Sequence, residues 1–71
     1  MKIIVNGSEV VVTQPKLSYA DVVQLGGKPH GPMYTMTYSR AADDRDGTMI
    51  SGDEVEAVDG TVFSFVVTDN A

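Results

Sequence analysis

His30, set between Pro29 and Gly31, is the one imidazole in a chain of 71 residues that contains no cysteine. With no second histidine or thiolate beside it there is no shared metal site to propose, and the serines stand in turn or strand contexts. No nucleophile and base can be paired, so an exposed loop histidine is the expected outcome. Asp44, Asp46, Gly47 and Asp53 fall on the third, fifth, sixth and twelfth positions of a calcium-binding EF-hand loop. The first position would then be Ala42, which cannot ligate, and no helices flank the segment. A solvated, mobile acidic loop that calcium does not order is the expectation for residues 43–46. Gly26-Gly27-Lys28 could turn backbone N–H groups toward an anion, but it lacks Walker spacing and a following helix, and reads as a helix stop. Tyr34, Tyr38, Phe63 and Phe65 lie at alternate strand positions without the basic residues a base-stacking platform needs, so they read as core. The expected protein is not an enzyme and carries neither metal nor cofactor.

Seven of the ten acidic residues lie between Asp43 and Asp59. Asp43, Asp44 and Asp46 are the densest part of that run. They serve solubility or form a docking surface for a basic partner, and charge bias alone leaves both readings open.

Five basic residues against ten acidic ones give a net charge of −5 and a pI near 4.4. Such a surface repels phosphate, which argues against nucleic acid and anionic membrane as partners. Apolar runs such as Val10 to Val12 are too short to span a bilayer, and Lys2 is followed by only Ile3-Ile4-Val5, too little for a signal peptide. The absence of cysteine fits a reducing compartment. A domain this short buries only about 60% of the surface of its unfolded chain, which leaves no room for a deep enzyme cleft. Composition points to a cytosolic binding, carrier or regulatory domain.

The elements follow from turn chemistry and periodicity. Asn6-Gly7 between Lys2–Val5 and Glu9–Thr13 predicts two strands joined by a type I′ turn, with Ser8 a candidate extra loop residue. Pro15 closes the second strand. Ser18 with Asp21 three residues on forms a capping box, and Leu17 and Val22 have the spacing of a hydrophobic staple. A short helix ending at Gly26-Gly27 is expected. Met33 to Ser39 alternates large apolar with small polar residues, the period of a half-buried strand. Residues 40 to 47 read as a charged loop, and Met49-Ile50 as a short apolar pair. Glu54 to Val58 reads as a strand with its acids outward. Asp59-Gly60 reads as a second hairpin turn leading into the strand Thr61 to Val67. The expected core contains Ile4, Val22, Leu25, Met36, Phe63 and Phe65. This order predicts an α+β domain with a mixed sheet of four to five strands and one helix on one face. It suggests the β-grasp arrangement, with first and last strands parallel in the middle of the sheet. Residues 1–67 form the expected domain and 68–71 a tail with no apolar residue large enough to anchor it.

Several segments then align in order with one bacterial family. They are Ile4-Val5-Asn6-Gly7, Leu17-Ser18-Tyr19, Met33-Tyr34-Thr35-Met36-Thr37-Tyr38, Gly47-Thr48-Met49-Ile50-Ser51-Gly52-Asp53, Asp59-Gly60-Thr61-Val62-Phe63 and Val67-Thr68-Asp69-Asn70. Together they resemble the bacterial multi-ubiquitin family of ubiquitin-like modifiers, over nearly the whole chain. Family members carry one or several such domains beside activating, conjugating and peptidase enzymes. The resemblance implies a cytoplasmic ubiquitin-like (β-grasp) modifier whose tail, Thr68, Asp69 and Asn70, is adenylated by an activating enzyme and passed to a conjugating enzyme and target proteins. Ala71 is then an extension for a processing peptidase to remove. One departure stands out: ubiquitin and the sulfur carriers end in Gly-Gly, whereas no glycine follows Gly60 here. Two other readings share the fold, a non-conjugated interaction module and a sulfur carrier lacking its glycines.

Overall fold

The computed structural model describes residues 1–29, 33–40 and 45–68. His30, Ala42, Asp43, Asp44, Asp69, Asn70 and Ala71, all named above, lie outside the described residues. Strand β1 (Lys2–Val5) returns as β2 (Ser8–Val11) through Asn6 and Gly7, whose φ of 49° and 85° are those of a type I′ turn. Val5 pairs directly with Ser8, so Ser8 begins the strand and adds nothing to the loop. Helix α1 (Tyr19–Leu25) starts at the expected cap: Ser18 Oγ accepts from Asp21 N–H at 3.1 Å and Asp21 Oδ2 accepts from Ser18 N–H at 3.1 Å. It ends in a Schellman closure, Lys28 N–H donating to the Val23 carbonyl and Gly27 N–H to that of Gln24, with Gly27 at φ 72°.

Strands β4 (Tyr34–Arg40), β5 (Arg45–Met49) and β7 (Val62–Val67) join the first hairpin in one sheet of order β2-β1-β7-β4-β5. β1 and β7 run parallel at its centre and every other pair is antiparallel. With one helix against one face, this is the expected ubiquitin-like β-grasp α+β fold. Two further short strands, β3 (Lys16–Ser18) and β6 (Glu54–Glu56), form a separate ribbon that sets Lys16 opposite Glu56 and Leu17 opposite Val55. The core lies between the large sheet and the helix, and holds Ile3, Val5, Val12, Leu17, Val22, Val23, Tyr34, Met36, Met49, Ala57, Phe63 and Phe65.

Four expectations are corrected. Ile4 turns to the outer face and is only half-buried, while Ile3 and Val5 point inward. Leu25 packs against the core from its margin. The segment 40–47 is not a loop throughout: Arg40 ends β4, and Arg45, Asp46 and Gly47 belong to β5, opposite Arg40, Ser39 and Tyr38. Gly47 leaves room there for the Tyr38 ring: a Cβ would stand 2.7 Å from its hydroxyl oxygen and 2.9 Å from its ring carbons, so any other residue needs that ring to shift. Asp59-Gly60 does make a turn, with Thr61 N–H donating to the Val58 carbonyl and Gly60 at φ 87°. That is the geometry of a type II turn, and the strands on either side pair in different sheets, so no hairpin results.

The two sheets are tied by a buried cation. Arg40, 6% exposed, extends from the end of β4 and donates through Nη1 to the Glu56 carbonyl of β6 at 2.7 Å. Arg40→Ala removes a charge-assisted bond and leaves that carbonyl poorly satisfied, at a cost of about 2 kcal/mol. In a domain of this size the melting temperature should fall by about 10 °C, readable by circular dichroism.

Candidate functional site

The segment that carries the expected chemistry follows β7. β7 is central, with Phe63 and Phe65 turned inward and Val62, Ser64 and Val66 outward. Phe65 meets Tyr34 edge-on, ring centroids 5.0 Å apart. The Tyr34 hydroxyl donates to the Pro29 carbonyl at 2.6 Å. β5 stops at Met49 opposite Met36, two residues short of Tyr34 on that side, so Tyr34 N–H finds the Tyr19 hydroxyl oxygen at 3.0 Å instead.

Thr68 does not hang free. Its N–H donates to the Met33 carbonyl at 2.9 Å, continuing the β4–β7 ladder by one residue, and its hydroxyl is hydrogen-bonded to that of Thr35. The expectation that nothing holds Thr68 missed this because it considered only apolar anchoring, whereas backbone and hydroxyl bonds do the holding. Beside Thr68 lies a groove of about 410 Å³ lined by Tyr19, Met33, Tyr34, Met49 and Ile50 among others, none of them charged. Met33 and Ile50 are 64% and 69% exposed, so two large apolar side chains flank the exit of the chain. Sequence reasoning did not single out Tyr19, Met33 or Ile50 as a group. The signal was there in two large apolar residues placed beside turn-forming residue types, Met33 after a proline and Ile50 before Ser51-Gly52.

Of the acidic residues, Asp46 is exposed on β5 opposite Ser39. Two others serve the backbone: Asp53 Oδ2 accepts from Ile50 N–H at 2.9 Å and Asp59 Oδ1 from Lys2 N–H at 2.7 Å. Arg40 and Arg45 line one polar cleft with Glu54 and Glu56, so the charge in this region is mixed rather than purely acidic. The sequence count of acids missed that mixture because it depends on β4, β5 and β6 meeting in space.

The chemistry this arrangement supports is presentation: a rigid sheet delivers a chain segment at a defined point beside an uncharged groove. No curated protein and no solved structure matches the chain. The family model of multiubiquitin matches residues 1–69, the whole β-grasp domain and the first residue after Thr68. The chain therefore belongs to the multiubiquitin family.

Proposed function

We propose that this protein is a ubiquitin-like modifier of a bacterial cytoplasmic pathway, not itself an enzyme, and that the segment beyond Thr68 is where it is joined to targets. The observation that carries the reading is the multiubiquitin match over residues 1–69. On this reading a peptidase cleaves after Asn70, removing Ala71. The Asn70 carboxylate oxygen then attacks the α-phosphorus of ATP within an adenylating enzyme, pyrophosphate leaves, and an acyl adenylate forms. A conjugating enzyme takes the acyl group as an ester or thioester, AMP leaves, and the acyl group passes to a target. Asp69 and Asn70 occupy the places where ubiquitin has Gly-Gly, so the partner enzymes need a channel wide enough for side chains. Asp43, Asp44 and Asp46 are candidate contacts for a basic surface of those enzymes.

The test is ATP–pyrophosphate exchange by the adenylating enzyme of the same operon, with the chain ending at Asn70 as substrate. Exchange that depends on the chain supports the reading, and exchange at background level contradicts it. The uncharged groove with Met33 and Ile50 also suits the second reading, a non-conjugated interaction module. That reading expects binding to a partner protein with no exchange.

A further inference from the structure

β1 accompanies β7 only part of the way. Ile4 N–H donates to the Thr61 carbonyl and Asn6 N–H to the Phe63 carbonyl, each at 2.9 Å, and then the chain turns away at Asn6-Gly7. The next donor on that side, Phe65 N–H, is met by a side chain instead, Asn6 Oδ1 at 2.8 Å. Backbone groups alternate in direction along a strand. Since Thr68 N–H points to Met33 on β4, residues 63, 65 and 67 point to the side that β1 has left. The Phe65 carbonyl and both the N–H and the carbonyl of Val67 therefore face an open edge, and among the described residues none of the three has a hydrogen-bond partner.

Natural sheets guard open edges with charge. The other open edges here are guarded: β2 carries Glu9, β3 Lys16, β5 Arg45 and Asp46, β6 Glu54 and Glu56. β7 reads Val-Phe-Ser-Phe-Val-Val and carries none. Val66 and Val67 are 68% and 59% exposed, and an open cleft beside them is lined by Asn6, Lys28, Tyr34 and Phe65. An unpaired row of one donor and two acceptors between exposed valines is complementary to one ligand above others, an extended backbone.

We propose that Phe65–Val67 is a strand-addition site, filled by an extended segment of the adenylating enzyme that takes the chain beyond Thr68. The added strand lies along the line β1 has left, bonding to the Phe65 carbonyl and to Val67 N–H and carbonyl. A carboxylate on it is matched by Lys28 in the cleft. The inference rests on the modifier reading, and adds to it where and how the enzyme grips the root of the tail. Thr68 follows β7 directly, so pairing here fixes the root from which the tail reaches the adenylating centre.

Val67→Pro is the discriminating variant, because it deletes a donor on the open edge and leaves the β4–β7 ladder intact. The experiment measures amide hydrogen exchange of the unmodified chain with and without the operon's adenylating enzyme, and the affinity of that enzyme for wild type and for Val67→Pro. The proposal expects Val67 N–H to exchange fast in the free chain and slowly in the complex, with Val67→Pro binding about tenfold more weakly, as one lost hydrogen bond implies. Protection at Val67 without adenylation supports the strand-addition site and contradicts the modifier reading. Adenylation of wild type and variant alike, with Val67 unprotected in the complex, overturns the site and leaves the modifier reading standing. Absence of any binding overturns both.

Discussion

Phe63→Ala should cost about 3–5 kcal/mol, the range for truncating a fully buried aromatic side chain. Phe63 is 0% exposed and is the second residue of β7, beside Val5 on the parallel strand and opposite Tyr38 on the antiparallel one. Its ring thus joins the two halves of the sheet, and the surrounding β-branched and aromatic side chains cannot collapse into the space it leaves. A chain of 71 residues has a total stability of about 3.5–10 kcal/mol at the usual value per residue, so the variant should approach the limit of folding. The expected fall in melting temperature is about 20 °C. Val62→Ala, one residue earlier on the open face, should lie within about 1 kcal/mol of wild type. Urea denaturation of both variants checks the pair, and equal losses at the two positions would contradict the inward register of β7.

The parts legible in the sequence are those decided within a few residues. Asn6-Gly7 announces its turn because only residues tolerant of positive φ fit a type I′ hairpin, and Asn6 and Gly7 both have it. Ser18 and Asp21 announce the helix start because the cap is closed between them. The alternation from Tyr34 to Ser39 fixes a strand and its buried face. What was not legible depends on distant partners. Ile3-Ile4-Val5 has no polar alternation, so its inward face is chosen by pairing with Val10 and Phe63 rather than by local pattern. Lys16–Ser18 is a strand only because Glu54–Glu56 comes alongside it. Arg45 and Asp46 look like loop residues and are held extended by β4.

The same division applies to the site. The interest in the end of the last strand came from the family resemblance, and the geometry there was not legible in the sequence. The Thr68–Met33 bond, the groove with Tyr19 and Ile50, and the open edge of β7 beyond Asn6 together draw on five separated segments. No window along the chain contains them.

The second large effect is expected at the tail. Deleting Asp69-Asn70-Ala71 keeps Thr68 with its bond to Met33, so the domain should retain its melting temperature within about 4 °C, the shift that about 0.5 kcal/mol implies. On the proposed modifier reading, covalent attachment should nevertheless be lost completely, since a carboxylate at Thr68 would not reach an adenylating centre. Stopping the chain at Asn70 should preserve attachment and remove any need for the peptidase. A deletion that also takes Thr68 loses the ladder bond and should cost about 1 kcal/mol as well.

Intact mass spectrometry of the chain incubated with ATP and the adenylating and conjugating enzymes that the modifier proposal requires tests this most directly. The chain ending at Asn70 should form a covalent adduct joined through its Asn70 carboxyl group, and the chain ending at Thr68 should form none. Adducts from the chain ending at Thr68, or adducts joined through a lysine side chain of this protein, would contradict it.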